Sequence, residues 1–174
     1  MSASAAPKKS VQIAILTISD TRTFETDKSG ALLQRLIQDD GHQVVDRQIC
    51  RDDVAAITAL LSGWIDDAQV DCVITTGGTG ITGRDVTPEA FERVLEKTIP
   101  GFGEMFRWLS YQSIGTSALQ SRALGGVSRG TYLFALPGSS GAVKEGWTQI
   151  LTHQLDSNYR PCNLVELMPR LRET

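Results

Sequence analysis

Short apolar runs alternate along this chain with stretches in which apolar residues recur every three or four positions, the pattern of strands separated by helices. Gln12 to Ser19 is an apolar run closing in polar residues, as a buried strand would. Leu32, Leu33, Leu36 and Ile37 then recur at helical spacing, and Gly41 closes that helix. Gln43 to Cys50 reads as a second strand, followed by Val54, Ile57, Leu61 and Trp64 as the buried stripe of a second helix. Val70 to Thr75 is a third strand, running straight into Thr76-Gly77-Gly78-Thr79-Gly80. Thr87-Pro88-Glu89 predicts another helix, with Thr87 as N-cap, proline at the first position and an acid in the first turn. Pro100-Gly101-Phe102-Gly103 is expected to break the chain, with helix resuming over Glu104 to Ser113. Thr131 to Leu136 is a strand leading into Pro137-Gly138-Ser139-Ser140-Gly141, and Val143, Trp147, Ile150, Leu151 and Leu155 line one face of the next helix. Strands joined through helices make βαβ units, so the expected fold is three-layer α/β/α with a mostly parallel central sheet. The chain after Asn158 is polar and short, and is expected to lie on the surface.

Composition adds exclusions. The 174 residues are 41% hydrophobic and 21% charged, an ordinary globular balance. One domain over residues 11–174 is expected, preceded by an unstructured small-residue tail over residues 1–10 that lacks an apolar stretch of signal-peptide length. Lys plus Arg at 17 against Asp plus Glu at 20 gives a net charge of −3, which argues against a nucleic-acid partner but not against one small anion in a pocket. No apolar run approaches a membrane span, so no membrane partner is expected. Cys50, Cys72 and Cys162 are odd in number and form no CxxC pair, which speaks against zinc and disulfides and fits a reducing, cytoplasmic setting. Only His42 and His153 are present, too few to favour a serine–histidine triad or a histidine metal site. Trp64, Trp108 and Trp147 read as core, and Cys50 and Cys72 as small buried hydrophobes.

Open α/β sheets bind ligands beyond the carboxyl ends of their strands. Three such ends carry unusual loops: Thr17-Ile18-Ser19-Asp20, Thr75 to Asp85, and Leu136 to Gly141. Together they would make a pocket rich in backbone N–H groups and hydroxyls, suited to phosphate. Gly78, Gly80 and Gly83 satisfy G-x-G-x-x-G, but a dinucleotide fingerprint opens directly into a helix after the first strand, and here Arg84, Asp85, Val86 and Thr87 intervene. The interleaved Gly77, Gly78 and Gly80 point instead to close backbone approach to a ligand. Asp85 is either a turn former or free to face the pocket. Asp52 and Asp53 precede the second helix and have an ordinary capping role open to them. Ser139 and Ser140 read as N-cap residues at a helix start that can itself receive an anion. Ser121-Arg122 is either a surface pair or the source of a bidentate phosphate contact.

Taken in order, Thr17-Ile18-Ser19-Asp20, Asp27-Lys28-Ser29-Gly30, Thr75-Thr76-Gly77-Gly78-Thr79-Gly80, Arg84-Asp85-Val86-Thr87-Pro88-Glu89, Pro100-Gly101-Phe102-Gly103-Glu104, Ser121-Arg122 and Leu136-Pro137-Gly138-Ser139 resemble the molybdopterin-binding domain family, shared by MoaB, MogA and the G domain of gephyrin. The match runs from about Val11 to the end, and Gly115 to Ala123 with Arg160-Pro161-Cys162-Asn163 looks most like the family's B-type branch. The resemblance implies a homo-oligomer, a trimer or a hexamer of two trimers, and other cofactor-biosynthesis enzymes as possible partners. It implies a reaction in which Mg-ATP adenylylates the phosphate of molybdopterin and pyrophosphate is released. It places the nucleotide phosphates on the Thr76 to Gly80 loop, makes Asp85 and Asp52 the catalytic and Mg²⁺-holding acids, and assigns Ser19, Asp20, Pro137, Gly138 and Ser139 to the pterin and its phosphate. The matching motifs carry Thr17, Ser29, Gly30, Thr87, Pro88, Glu89, Ser121, Arg122 and Ser140 into the same substrate site. A molybdopterin-binding carrier without turnover is the alternative.

Overall fold

The computed structural model describes residues 7–173. In chain order the sheet and its helices run β1 (Gln12–Ile18), α1 (Lys28–Asp39), β2 (Gln43–Cys50), α2 (Val54–Asp66), β3 (Cys72–Thr76), α3 (Thr87–Val94), β4 (Lys97–Thr98), α4 (Pro100–Ile114), β5 (Leu124–Ser128), β6 (Thr131–Leu136), α5 (Ser140–Gly146), α6 (Thr152–Gln154) and α7 (Leu164–Leu167). The sheet order is β2-β1-β3-β6-β5-β4. β2, β1, β3 and β6 pair in parallel; β5 runs antiparallel to both β6 and β4. The three-layer, mostly parallel α/β arrangement is as the residue pattern predicts.

β1 shows why the sheet needs cover on both faces. Successive side chains point to opposite sides, so Ile13 and Ile15 enter one apolar cluster and Ala14 and Leu16 the other. The first cluster is roofed by Leu33 and Ile37 of α1, Phe102 and Phe106 of α4, and Val143 of α5. Ile57, Leu61 and Trp64 of α2, with Ala90 and Phe91 of α3, close the second. Fully burying one such side chain stabilises the fold by roughly 1.5–3 kcal/mol. Asp27 and Asp53 start α1 and α2 by accepting from the backbone N–H groups of Gly30 and Ala56.

Several expectations are corrected. No break occurs at Pro100 to Gly103: proline takes the first turn of α4, where its missing N–H costs nothing, and the helix begins there. β4 and β5 are strands the pattern does not announce, because one has two residues and the other carries Gly125 and Gly126 in place of apolar ones. Trp108 is 64% exposed on α4 rather than core. Thr87 is the first residue of α3, not its N-cap. The last apolar stripe is interrupted by a wide turn of π-helix over Trp147–Leu151, between α5 and α6. Beyond Asn158 the chain is not merely surface-lying: Asn163 and Val165 are buried, and the Tyr132 hydroxyl donates to the Leu164 carbonyl at 3.0 Å. Of the expected tail, residues 1–6 lie outside the described residues; Pro7 to Ser10 carry no regular structure, and the Lys9 N–H donates to Ser157 Oγ at 3.0 Å. No helix among the described residues is long and apolar enough to cross a membrane.

Candidate functional site

From β1 the chain crosses out to β2 through α1, then back to β3 through α2, packed on the opposite face. Strand order therefore reverses between β1 and β3, and a crevice opens beyond their carboxyl ends. The three expected loops converge there with β6. Thr17, Ser19, Ser29, the whole of Thr76 to Gly80, Pro137 and Gly138 line a cleft of about 390 Å³, joined by Asp52 and Asp85.

The glycine loop is shaped by its neighbours. Gly77 and Gly78 adopt φ of 110° and 64°, the left-handed region that other residues enter only with strain. A Cβ on Gly78 would sit 2.9 Å from Asp52 Oδ1, so the missing side chain lets that carboxylate close over the loop. The Gly77 N–H donates to the Leu136 carbonyl at 3.0 Å, and the Thr76 hydroxyl to the Pro137 carbonyl at 3.0 Å, tying this loop to the one after β6. From below, the Thr87 hydroxyl donates to the Gly77 carbonyl at 2.8 Å. Thr87 thus braces the loop, and buried Pro88 follows in the first turn of α3.

Arg122 is not a free phosphate arm. Its guanidinium donates to the Gly80 carbonyl at 2.7 Å, the Asp85 carbonyl at 2.8 Å and Glu89 at 2.5 Å. All three bonds fix the outer side of the loop, away from the cleft. Arg122 and Glu89 therefore position the loop and do not line the cleft. Gly30 lies beside Asp27, whose carboxylate accepts the Gly30 N–H at 2.9 Å and the Thr17 hydroxyl at 2.6 Å. Ser139 caps α5 by accepting from the Ala142 N–H at 3.1 Å; with Ser121 it lines a smaller adjoining cavity, and Ser140 is exposed.

Residues 14–157 match the family described as "probable molybdopterin binding domain". The chain belongs to the molybdopterin-binding domain family. It is 47% identical to molybdenum cofactor biosynthesis protein B of Escherichia coli K12 over 152 residues, which is 87% of this chain and 89% of that protein. A crystal structure of a molybdenum cofactor biosynthesis protein B superposes with a TM-score of 0.87 at 42% identity, covering 97% of this chain and all of that one. The tungsten cofactor synthesizing protein MoaB of Pyrococcus furiosus gives 0.78 at 32% identity, covering 97% of this chain and all of that one.

In this family member the acids of the cleft are unequal. Burial raises the Asp52 pKa above the usual carboxylate value, and the negative charge of Asp20 adds to the rise; Arg84 offsets it only in part, and Asp85 raises it further. Among the described residues no Lys or Arg forms an ion pair with Asp52. Asp85 is also raised by burial, but bonds from the Thr82 hydroxyl at 2.6 Å and the Thr82 N–H at 2.8 Å, with help from Gly80, bring it below the usual value. Asp85 is therefore a turn former and a cleft residue at once. Asp53 alone takes the capping role, which leaves Asp52 free to face the loop. Asp20 is held ionised by its hydrogen bond with Arg84, whose Nε lies 3.0 Å away. Neither Arg22 nor Arg84 is assigned a role by sequence reasoning, yet both line the cleft; Arg84 stands beside Asp85 in the motif that carries the resemblance.

The donor set suits a hard cation. Among the described residues no group of three or more His, Cys, Asp or Glu could cage a metal ion. Asp52 and Asp85 together offer carboxylate oxygens at one cleft, and Asp52 is the under-neutralised one. Mg²⁺ is commonly held by one or two carboxylates and by phosphate oxygens of the substrate, so Asp52 and Asp85 fit it.

Proposed function

We propose that this protein acts in molybdenum cofactor biosynthesis, binding molybdopterin and transferring the adenylyl group of Mg-ATP to its phosphate. The observation that carries the reading is the cleft itself: a glycine loop at the sheet's switch point, with the free Asp52 carboxylate closed over it and Asp85 beside it. A phosphate oxygen of molybdopterin attacks the α-phosphorus of ATP, the α–β bridging P–O bond breaks, and pyrophosphate departs with the electron pair. Two polyanions must meet, so repulsion is the main obstacle. Mg²⁺, held by Asp52 and Asp85, would supply charge neutralisation to the phosphates. The chain's own part is to orient the phosphates along the Thr76 to Gly80 loop, where the backbone N–H groups of Gly78 to Gly80 come after the Gly77 N–H already given to Leu136, while Ser19, Pro137, Gly138 and Ser139 hold the pterin phosphate. No covalent protein nucleophile is required. That suits a site whose neighbouring Cys50 thiol is pushed up to about 11, chiefly by burial. A cytoplasmic setting and self-assembly, as a trimer or a hexamer, belong to the same proposal.

Pure protein incubated with molybdopterin and Mg-ATP should release pyrophosphate and yield adenylylated pterin. Asp85→Asn keeps the side chain's shape and removes its charge, so turnover should fall by about two orders of magnitude while molybdopterin still binds. Molybdopterin binding with no pyrophosphate from the unmodified chain would leave the non-catalytic carrier in its place.

A further inference from the structure

Two more cavities open off the cleft, and they differ in charge. One, of about 230 Å³, adjoins it at Thr79, Gly80 and Pro137, on the β6 side of the sheet. No ionisable residue lines it: Phe106, Ala118 and Ala142 make an apolar floor, and Ser117 adds a hydroxyl, while the Ser110 hydroxyl on the same wall is given to Glu145 behind it. The other, of about 360 Å³, adjoins the cleft at Ser19 and Arg22, on the β2 side, and brings in Phe24, Arg51 and one acid, Asp20, which is already paired with Arg84. In the strand order β2 and β6 flank the β1–β3 pair, so the two cavities lie on opposite sides of the glycine loop.

The Phe24 ring is a fixed platform although it is 57% exposed. The Arg47 guanidinium lies over it, 5.3 Å from the ring centroid. Arg47 is itself anchored, by an ion pair of 2.8 Å to buried Asp27 and a bond of 3.1 Å to Gln34. Around this platform positive charge is available. Among the described residues Arg51 makes no ion pair, and the Arg22 guanidinium donates only to the Thr26 carbonyl, at 3.3 Å.

We infer that the two substrates reach the glycine loop from opposite sides: the nucleotide over Arg22 and Arg51 with its base on Phe24, and the pterin through the uncharged cavity. This rests on the adenylyl-transfer reading and adds to it an orientation and a set of nucleotide-selecting residues. Charge decides the direction. A triphosphate carries more negative charge than a phosphate monoester, so it belongs where unpaired guanidinium groups stand. A neutral flat heterocycle belongs where apolar surface prevails and no ionisable side chain lines the wall. A purine needs a π-face to lie on, and an exposed aromatic ring fixed from behind supplies one.

The experiment measures equilibrium binding of ATP, in the presence of Mg²⁺, and of molybdopterin, separately, by calorimetry. Phe24→Ala should weaken ATP on the order of tenfold and leave molybdopterin unchanged, and Phe24→Tyr should restore ATP affinity. Ser117→Trp, a change at an exposed position that blocks the mouth of the uncharged cavity, should weaken molybdopterin on the order of tenfold and leave ATP unchanged. The crossed result, with Phe24→Ala weakening molybdopterin or Ser117→Trp weakening ATP, overturns the orientation and leaves adenylyl transfer standing. Unmoved affinities in both variants overturn it too. An unmodified chain that binds molybdopterin but no ATP removes the adenylyl-transfer reading and this inference with it.

Discussion

His42 should make the fold acid-sensitive by a calculable amount. The ring is only 4% exposed, and its Nδ1 accepts the Val11 N–H at 3.1 Å. The proton therefore sits on Nε2, which meets no partner. Protonating the ring would place a second proton against the Val11 donor inside the core, edge-on to Trp147. Burial, with the Lys8 charge adding to it, pushes the His42 pKa down to about 4; Asp40 and Asp156 act in the opposite direction and do not prevail. An unfolded histidine titrates near 6.5, so between these two values the unfolded chain binds the extra proton and stability falls as pH falls. With unfolded and folded values of about 6.5 and about 4, the loss is about 1.4 kcal/mol at pH 5.5 and about 2.5 kcal/mol at pH 4.5, measured from neutral pH. Urea unfolding of the natural chain and of His42→Gln, from pH 7.5 to 4.5, isolates this contribution from that of the carboxylates, because both proteins share the latter. The glutamine oxygen can accept the Val11 N–H without titrating. His42→Gln should be the less stable at pH 7.5, and the gap should close by about 2 kcal/mol by pH 4.5. Two stability curves that stay parallel, or a proton-resonance titration of His42 with its midpoint above 6, would refute the reasoning.

Two further predictions concern the loop and the surface. Gly78→Ala should lower stability by about 1–3 kcal/mol, because it forces a side chain into left-handed backbone against the Thr87 hydroxyl and Asp52, whereas Gly83→Ala, with nothing within 4 Å of its Cβ, should leave the melting temperature unchanged; equal melting temperatures for the two variants would show that the loop tolerates a Cβ. The outward side of α4 shows Met105, Trp108 and Tyr111, exposed by 51%, 64% and 59%, and if self-assembly covers that side, Trp108→Glu should reduce the mass seen by light scattering; a monomer mass for the unmodified chain at micromolar concentration would end that expectation.

How much of this could be read from the chain depended on the range of the interaction. β1, β3 and β6 were legible because a strand buried on both faces leaves a run of apolar residues, whatever it pairs with, whereas β2, an edge strand with no fully buried residue, is marked by its place between two helical stretches. β5 was not, since Leu124-Gly125-Gly126-Val127-Ser128 earns its place only through antiparallel pairing with β6, a partner that its own composition does not announce. Asp53 as a cap was legible from its place before a helix. Trp108 misled because a tryptophan on a helix is usually buried, and which side of α4 meets the sheet is settled by Phe102 and Phe106.

The candidate site divides along the same line. Its backbone donors follow from local sequence, because two glycines in left-handed backbone turn the chain the same way in any surroundings. The side-chain roles do not, because they depend on which groups the fold brings together over long separations. Arg122 is the clearest instance: it is suited to a phosphate, but Gly80, Asp85 and Glu89 take its donors first, some forty residues earlier in the chain at the nearest approach to the loop. The reverse holds for Arg84, which lies inside the motif yet finds its partner, Asp20, sixty-four residues away in the chain. The pairing of Arg84 with Asp20 has a consequence for Asp52. A cation engaged by one carboxylate neutralises a second one less, so Asp52 stays the least compensated acid of the cleft. An unengaged Arg84 would have satisfied Asp52 and left the cleft less able to attract Mg²⁺. Removing Asp20, by Asp20→Asn, should therefore weaken Mg²⁺-dependent ATP binding even though it deletes a negative charge from a site that binds anions. Tighter binding in that variant would show that Asp20 acts only as a repelling charge.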